Sequence, residues 1–70
     1  MKTKEQELRE KIIEYLNILD ENQYANVKSM CEEEFSLNRL VDVIIEKFRE
    51  NPEANIIDIV DEIEMSMYFD

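Results

Sequence analysis

Apolar residues recur along this chain at steps of three and four. Leu8, Ile12, Tyr15 and Leu19 share one helical stripe, with Leu16 flanking it and Ile13 and Ile18 outside it. Thr3 followed three residues later by Gln6 has the form of a capping box, in which each side chain satisfies a backbone N–H of the other residue. A first helix is therefore predicted to open there and to end near Asp20 to Asn22. Asp20 with Gln23 reads as a second box, opening a shorter helix whose Tyr24, Val27, Cys31 and Phe35 recur at helical spacing. Without glycine or proline at this boundary, two separate helices and one kinked helix are both compatible with the pattern.

Ser36 is the expected N-cap of the next helix, whose Leu37, Leu40, Val41, Ile44, Ile45 and Phe48 form a broad apolar face. Asn51-Pro52-Glu53 stops it and is read as starting the last one, since proline suits the first helical position and an acid suits the first turn. The last helix is expected over about 52–68. Its Ile56, Ile59, Val60, Ile63 and Met67 fall within a sector of about 100 degrees, the predicted core face. These readings give an all-α fold, a compact bundle of three to four short helices in a single domain over residues 1–70.

Composition agrees and narrows the chemistry. The chain has 70 residues, no glycine, one proline and 44% apolar residues, enough for a core and too many for disorder. A domain this small is marginally stable. One cysteine, Cys31, and no histidine exclude an internal disulfide and the common zinc sites. The first ten residues lack the apolar stretch of a secretion signal, and no run approaches the ~20 residues of a membrane span. A cytoplasmic protein is expected.

Charge is the unusual property. Eighteen acidic residues against eight basic ones leave a net charge of −10. Lys2, Lys4, Arg9 and Lys11 outweigh Glu5, Glu7 and Glu10 at the start, so the whole excess lies downstream. Such a field repels nucleic acid and anionic lipid and draws in basic protein surfaces. Direct contact with nucleic acid or membrane is thereby disfavoured. A helix-turn-helix using Asn38 and Arg39 would bring Glu32 to Glu34 against phosphates.

Catalysis has little to work with, because a serine or cysteine nucleophile needs a base that histidine usually supplies. Cys31 is expected to pack as a small hydrophobe, its pKa raised if anything. Asp58, Asp61 and Glu62 neighbour one another but lack the glycine-centred loop of a calcium site, and Glu-x-x-His is impossible here. No metal, no cofactor and no enzyme activity are expected. Acyl carrier proteins are also small acidic helical bundles, but their serine follows an aspartate; here Phe35 precedes Ser36 and Lys28 precedes Ser29.

The opposite side of the last helix suggests another role. Met65 and Phe69 project there among Asp58, Asp61 and Glu62, a mixture of soft or aromatic anchors and carboxylates that resembles a protein interface in composition. Glu32, Glu33 and Glu34 form a second acidic run, expected at a helix C-terminus and hence unfavourably placed against the dipole. The functional expectation is a non-enzymatic acidic module or inhibitor that docks on a basic surface of a partner protein. Glu32, Glu33, Glu34, Asp58, Asp61, Glu62 and Glu64 would steer and pair, while Met65, Tyr68 and Phe69 would anchor. In the sharper form that surface normally binds nucleic acid and the carboxylates stand in for phosphates. Small acidic inhibitors of phages and mobile elements, some antitoxins and some immunity proteins share this charge and size. The alternative is a self-associating structural or regulatory homodimer, which would bury Ile13, Ile18 and Val43.

Overall fold

The computed structural model of the protein describes residues 1–68, Tyr68 by its backbone alone. Four helices follow one another: α1 (Lys4–Asn17), α2 (Ala25–Met30), α3 (Glu34–Glu50) and α4 (Ile56–Tyr68). Among the described residues there is no strand. The radius of gyration of 11.9 Å is close to the ~11 Å expected of a compact chain this long.

The Thr3 capping box is present in both halves. The Thr3 amide donates to Gln6 Oε1 at 3.0 Å and the Gln6 amide to Thr3 Oγ1 at 3.2 Å. Four otherwise unpaired amides start any helix, and this exchange satisfies two local N–H groups at once. α1 stops at Asn17, earlier than the pattern suggested, with Ile18 as its C-cap. Its buried residues are Ile12 and Leu16. Leu16 is thus central to the stripe, and Tyr15 and Leu19 are half-buried beside it.

The break between the first two helices is a true turn. Asp20 Oδ1 accepts from the Asn22 amide at 2.7 Å and from the Gln23 amide at 3.4 Å, and the Asp20 carbonyl accepts from Tyr24 at 2.9 Å. Aspartate favours such local side-chain-to-backbone bonds, which compete with helix continuation. α2 itself has 6 residues, far too few for helicity in isolation. It persists because α1, α3 and α4 all pack against it.

α3 begins two residues before the expected N-cap. Glu33 is extended (φ −114°, ψ 130°) and its carbonyl accepts from Leu37, so Ser36 lies inside the first turn and caps nothing. At the other end Asn51 is also non-helical (φ −141°, ψ 85°). The residue before proline is excluded from the α region by the ring, which forces this exit. Pro52 and Glu53 then occupy a turn closed by the Ala54 amide on the Asn51 carbonyl at 3.0 Å. α4 consequently starts at Ile56, with the Asn55 carbonyl accepting from Asp58 and Ile59, and Pro52 is no helix opener.

The core joins Ile12 and Leu16, Tyr24 and Val27, Leu40, Val41, Ile44 and Ile45, and Ile59, Val60 and Ile63. Each fully buried aliphatic side chain contributes about 1.5–3 kcal/mol. α3 supplies the largest share, as its broad apolar face predicted, and touches every other helix. Ile56 and Met67 are half-buried at the edge of this core.

Candidate functional site

The expected site on α4 separates into residues that face outward and residues used inside the fold. Asp58 is exposed and Met65 is 60% exposed, as the helical wheel placed them. Glu64 is different. At 4% exposure it is the one buried charged residue among the described residues, and its carboxylate caps α2 across the bundle. Oε1 accepts from the Val27 amide at 2.9 Å, and Oε2 accepts from the Asn26 amide at 3.3 Å and from Asn26 Nδ2 at 2.7 Å. A carboxylate belongs at a helix N-terminus for two reasons, the free amides and the positive end of the dipole. Tyr24, the residue at the cap position, makes no side-chain cap bond, so α4 supplies what α2 lacks.

Asp61 is likewise engaged, since the Tyr24 hydroxyl donates to its Oδ1. That hydrogen bond, with burial and the negative charges of Asp61 and Glu64, pushes the Tyr24 phenol up from 10.0 to about 12. Glu62 meets Lys47 of α3 at 3.2 Å. Three of the four carboxylates expected to steer a partner from α4 are therefore satisfied within the molecule. Tyr68, by its side chain, and Phe69 lie outside the described residues.

Glu32, Glu33 and Glu34 are all exposed, and among the described residues no Lys or Arg comes within ion-pair distance of them. The setting of two of them differs from expectation. α2 ends at Met30, and Glu33 and Glu34 are the N-cap and first residue of α3, where the helix dipole favours negative charge. Those two carry no dipole penalty, whereas Glu32 directly follows the C-cap of α2, at a helix C-terminus as expected.

A different side chain becomes the notable one. Phe35, expected on the buried stripe of α2, stands in the first turn of α3 and is 66% exposed. It borders an open groove of about 400 Å³ between α3 and α4, walled by Met30, Phe35, Arg39, Val43 and Met67 and floored by Leu40 and Ile63. The volume lies within the ~300–1,000 Å³ typical of ligand clefts. Phe35, Arg39 and Val43 follow at four-residue steps, which keeps them on one helix face within about 80 degrees. The sequence did carry part of this signal, because Val43 fell outside the core stripe. Phe35 was missed because Ser36 made a plausible helix start one residue after it.

Cys31 is half-buried, and its Sγ donates to the Val27 carbonyl at 3.3 Å. Burial is the first cause that raises its pKa, opposed by nearby Lys28. The direction matches the sequence reading, but burial causes it in place of the acidic field. Lys28 donates to the Leu16 and Asn17 carbonyls at 3.2 and 2.8 Å, placing a cation on the negative end of α1. Among the described residues no three Cys, Asp or Glu side chains are arranged to hold a metal ion, and no helix is long and apolar enough to cross a membrane.

No protein-family model, curated protein or solved structure matches the chain.

Proposed function

We propose that this is a non-enzymatic protein-binding module that docks on a basic surface of a partner. The observation that carries this reading is Phe35, an aromatic ring left largely in water at the mouth of an apolar groove and directly preceded by three exposed carboxylates. A desolvatable aromatic anchor with charges around it has the anatomy of an interface centre and rim. The net charge of −10 then accelerates encounter with a cationic partner. Docking is accordingly centred on the α2–α3 corner, with Asp58 and Met65 as a separate exposed patch on α4.

The nucleic-acid-mimic form has narrower support, because Asp61, Glu62 and Glu64 have partners within the fold and do not present a row of free charges. Self-association draws on Ile18, 79% exposed, and Val43, 40% exposed. Ile13, half-buried against the core, contributes less to that alternative.

The decisive experiment compares proteins captured from the native host by the wild-type chain, by the triple variant Glu32→Lys, Glu33→Lys, Glu34→Lys, and by Phe35→Ala. A Glu14→Lys, Glu21→Lys, Glu53→Lys variant, with the same change in net charge at three exposed positions elsewhere, controls for total charge. The expected result is a partner with a basic surface that both α3-proximal variants lose and the control retains. Equal loss in the control would reduce the effect to bulk charge and overturn the assignment of the corner.

A further inference from the structure

We infer that the α3–α4 groove receives an amphipathic helix from the partner, basic along its flanks and carrying one acidic residue that pairs with Arg39. This deepens the proposed function and rests on it. Among the described residues there is no strand, so no sheet edge is offered for strand addition. A polyproline ligand needs several aromatic walls, and Phe35 is the single aromatic lining this groove among the described residues. What remains is a trough between two helices, the shape that the i, i+3, i+4, i+7 face of a third helix fills. Met30 and Met67 line two of its walls, and methionine adapts to irregular apolar surfaces.

Charge selects the occupant further. Glu32, Glu33 and Glu34 directly precede Phe35 in the chain; they are exposed, meet no cation among the described residues and so favour Lys or Arg on the flanks of the incoming helix. Halfway along, the wall turns positive. Arg39 is exposed and among the described residues has no carboxylate within ion-pair distance. One turn of α3 separates it from Phe35 on one side and from Val43 on the other. A guanidinium between two apolar anchors would be desolvated on docking and left unpaired unless the partner brings an acid to it. The same arrangement works against a second copy of this chain. In a two-fold antiparallel pairing of α3 that sets Phe35 against Val43, the axis passes at Arg39 and brings the two guanidinium groups together.

Three synthetic amphipathic peptides of about 18 residues, roughly the length of α3, test this. All share one leucine face. The first has Lys flanks and a single Glu at the edge of that face, the second has Lys flanks and Gln in place of the Glu, and the third has every charge inverted. Binding is read by fluorescence anisotropy and by amide shifts in NMR spectra of the isotope-labelled full chain. The expected result is that the first peptide binds best, with the largest shifts at Met30, Phe35, Val43 and Met67. Phe35→Ala should weaken it at least roughly tenfold, and Arg39→Gln should abolish the preference for Glu over Gln. Phe35 and Arg39 are exposed, and circular dichroism checks that both variants keep the fold.

Shifts spread over the acidic surface, with no effect of Phe35→Ala, would overturn the groove while leaving docking on basic partners intact. If the basic peptides bind no better than the inverted one, the groove proposal and the functional reading both fail. A dimer by sedimentation that Val43→Glu dissociates would make a second copy the occupant and overturn the inference.

Discussion

Glu64 holds the N-terminus of α2 through bonds to Val27 and to both nitrogens of Asn26. Replacing it with alanine removes the acceptor and leaves buried amides unpaired, a loss of about 2–4 kcal/mol. Domains of this length have only about 4–10 kcal/mol in total, so Glu64→Ala should lower the urea midpoint by a large fraction. A fall no greater than that of Glu14→Ala, an exposed glutamate, would show the carboxylate to be dispensable. Tyr24 provides a pH counterpart. Its phenol is held at about 12 in the fold against about 10 unfolded, so the folded state binds this proton more tightly. The resulting stability is complete below pH ~10 and is lost as pH rises towards ~12. Ultraviolet tyrosinate titration should find a late-titrating phenol, and Asp61→Asn should move it down towards the ordinary value.

At the scale of the element, α2 is a 6-residue helix without its own cap and depends on its neighbours at both ends. Glu64 satisfies its start, and Lys28 ties it to the last carbonyls of α1. Local opening follows the weakest set of contacts, so α2 should open before α3, which has 17 residues and four buried aliphatics. In native-state hydrogen exchange, Val27 and Lys28 amides should exchange at a lower opening free energy than Val41 and Ile44. Glu64→Gln should widen the gap selectively. Equal protection of α2 and α3 in that variant would contradict the dependence. The α2 stripe was legible for Tyr24 and Val27, because both are spaced to face the core. It failed at Phe35, since the same periodicity runs on across a helix boundary that only backbone geometry fixes.

For the whole molecule, a net charge of −10 on a particle of 11.9 Å radius of gyration is self-repulsion that the ion pairs only partly offset. Lys2–Glu10, Arg9–Asp42, Lys47–Glu62 and Arg49–Glu5 all lie at the surface, where such pairs contribute about 0–1 kcal/mol each. Repulsion acts over longer distances than these contacts and is screened by salt. Raising ionic strength from about 0.01 M to about 0.15 M shortens the Debye length from ~30 to ~8 Å, so the thermal midpoint should rise. A falling midpoint would mean that the pairs outweigh the net field. The same salt change should slow association with any cationic partner, which separates the protein's own stability from its docking in opposite directions.

The amino-acid sequence by itself determined the all-α class, the core faces of α3 and α4, the Thr3 box and the acid excess, because periodicity, capping and charge are local or additive properties. It also held a partial warning about Glu64, which lies only about 40 degrees round the helix from buried Val60. The tertiary structure decided which carboxylates are free. Asp61, Glu62 and Glu64 are carboxylates within four residues of one another, yet one meets a phenol, one an ammonium and one the amides of a distant helix. Those partners lie 15 to 38 residues away along the chain, and a residue's own neighbours carry no record of them. The start of α3 at Glu34 likewise took Phe35 off the α2 stripe, and packing of α3 on α4 placed it with Met30, Val43 and Met67, since a groove exists only where separate helices meet.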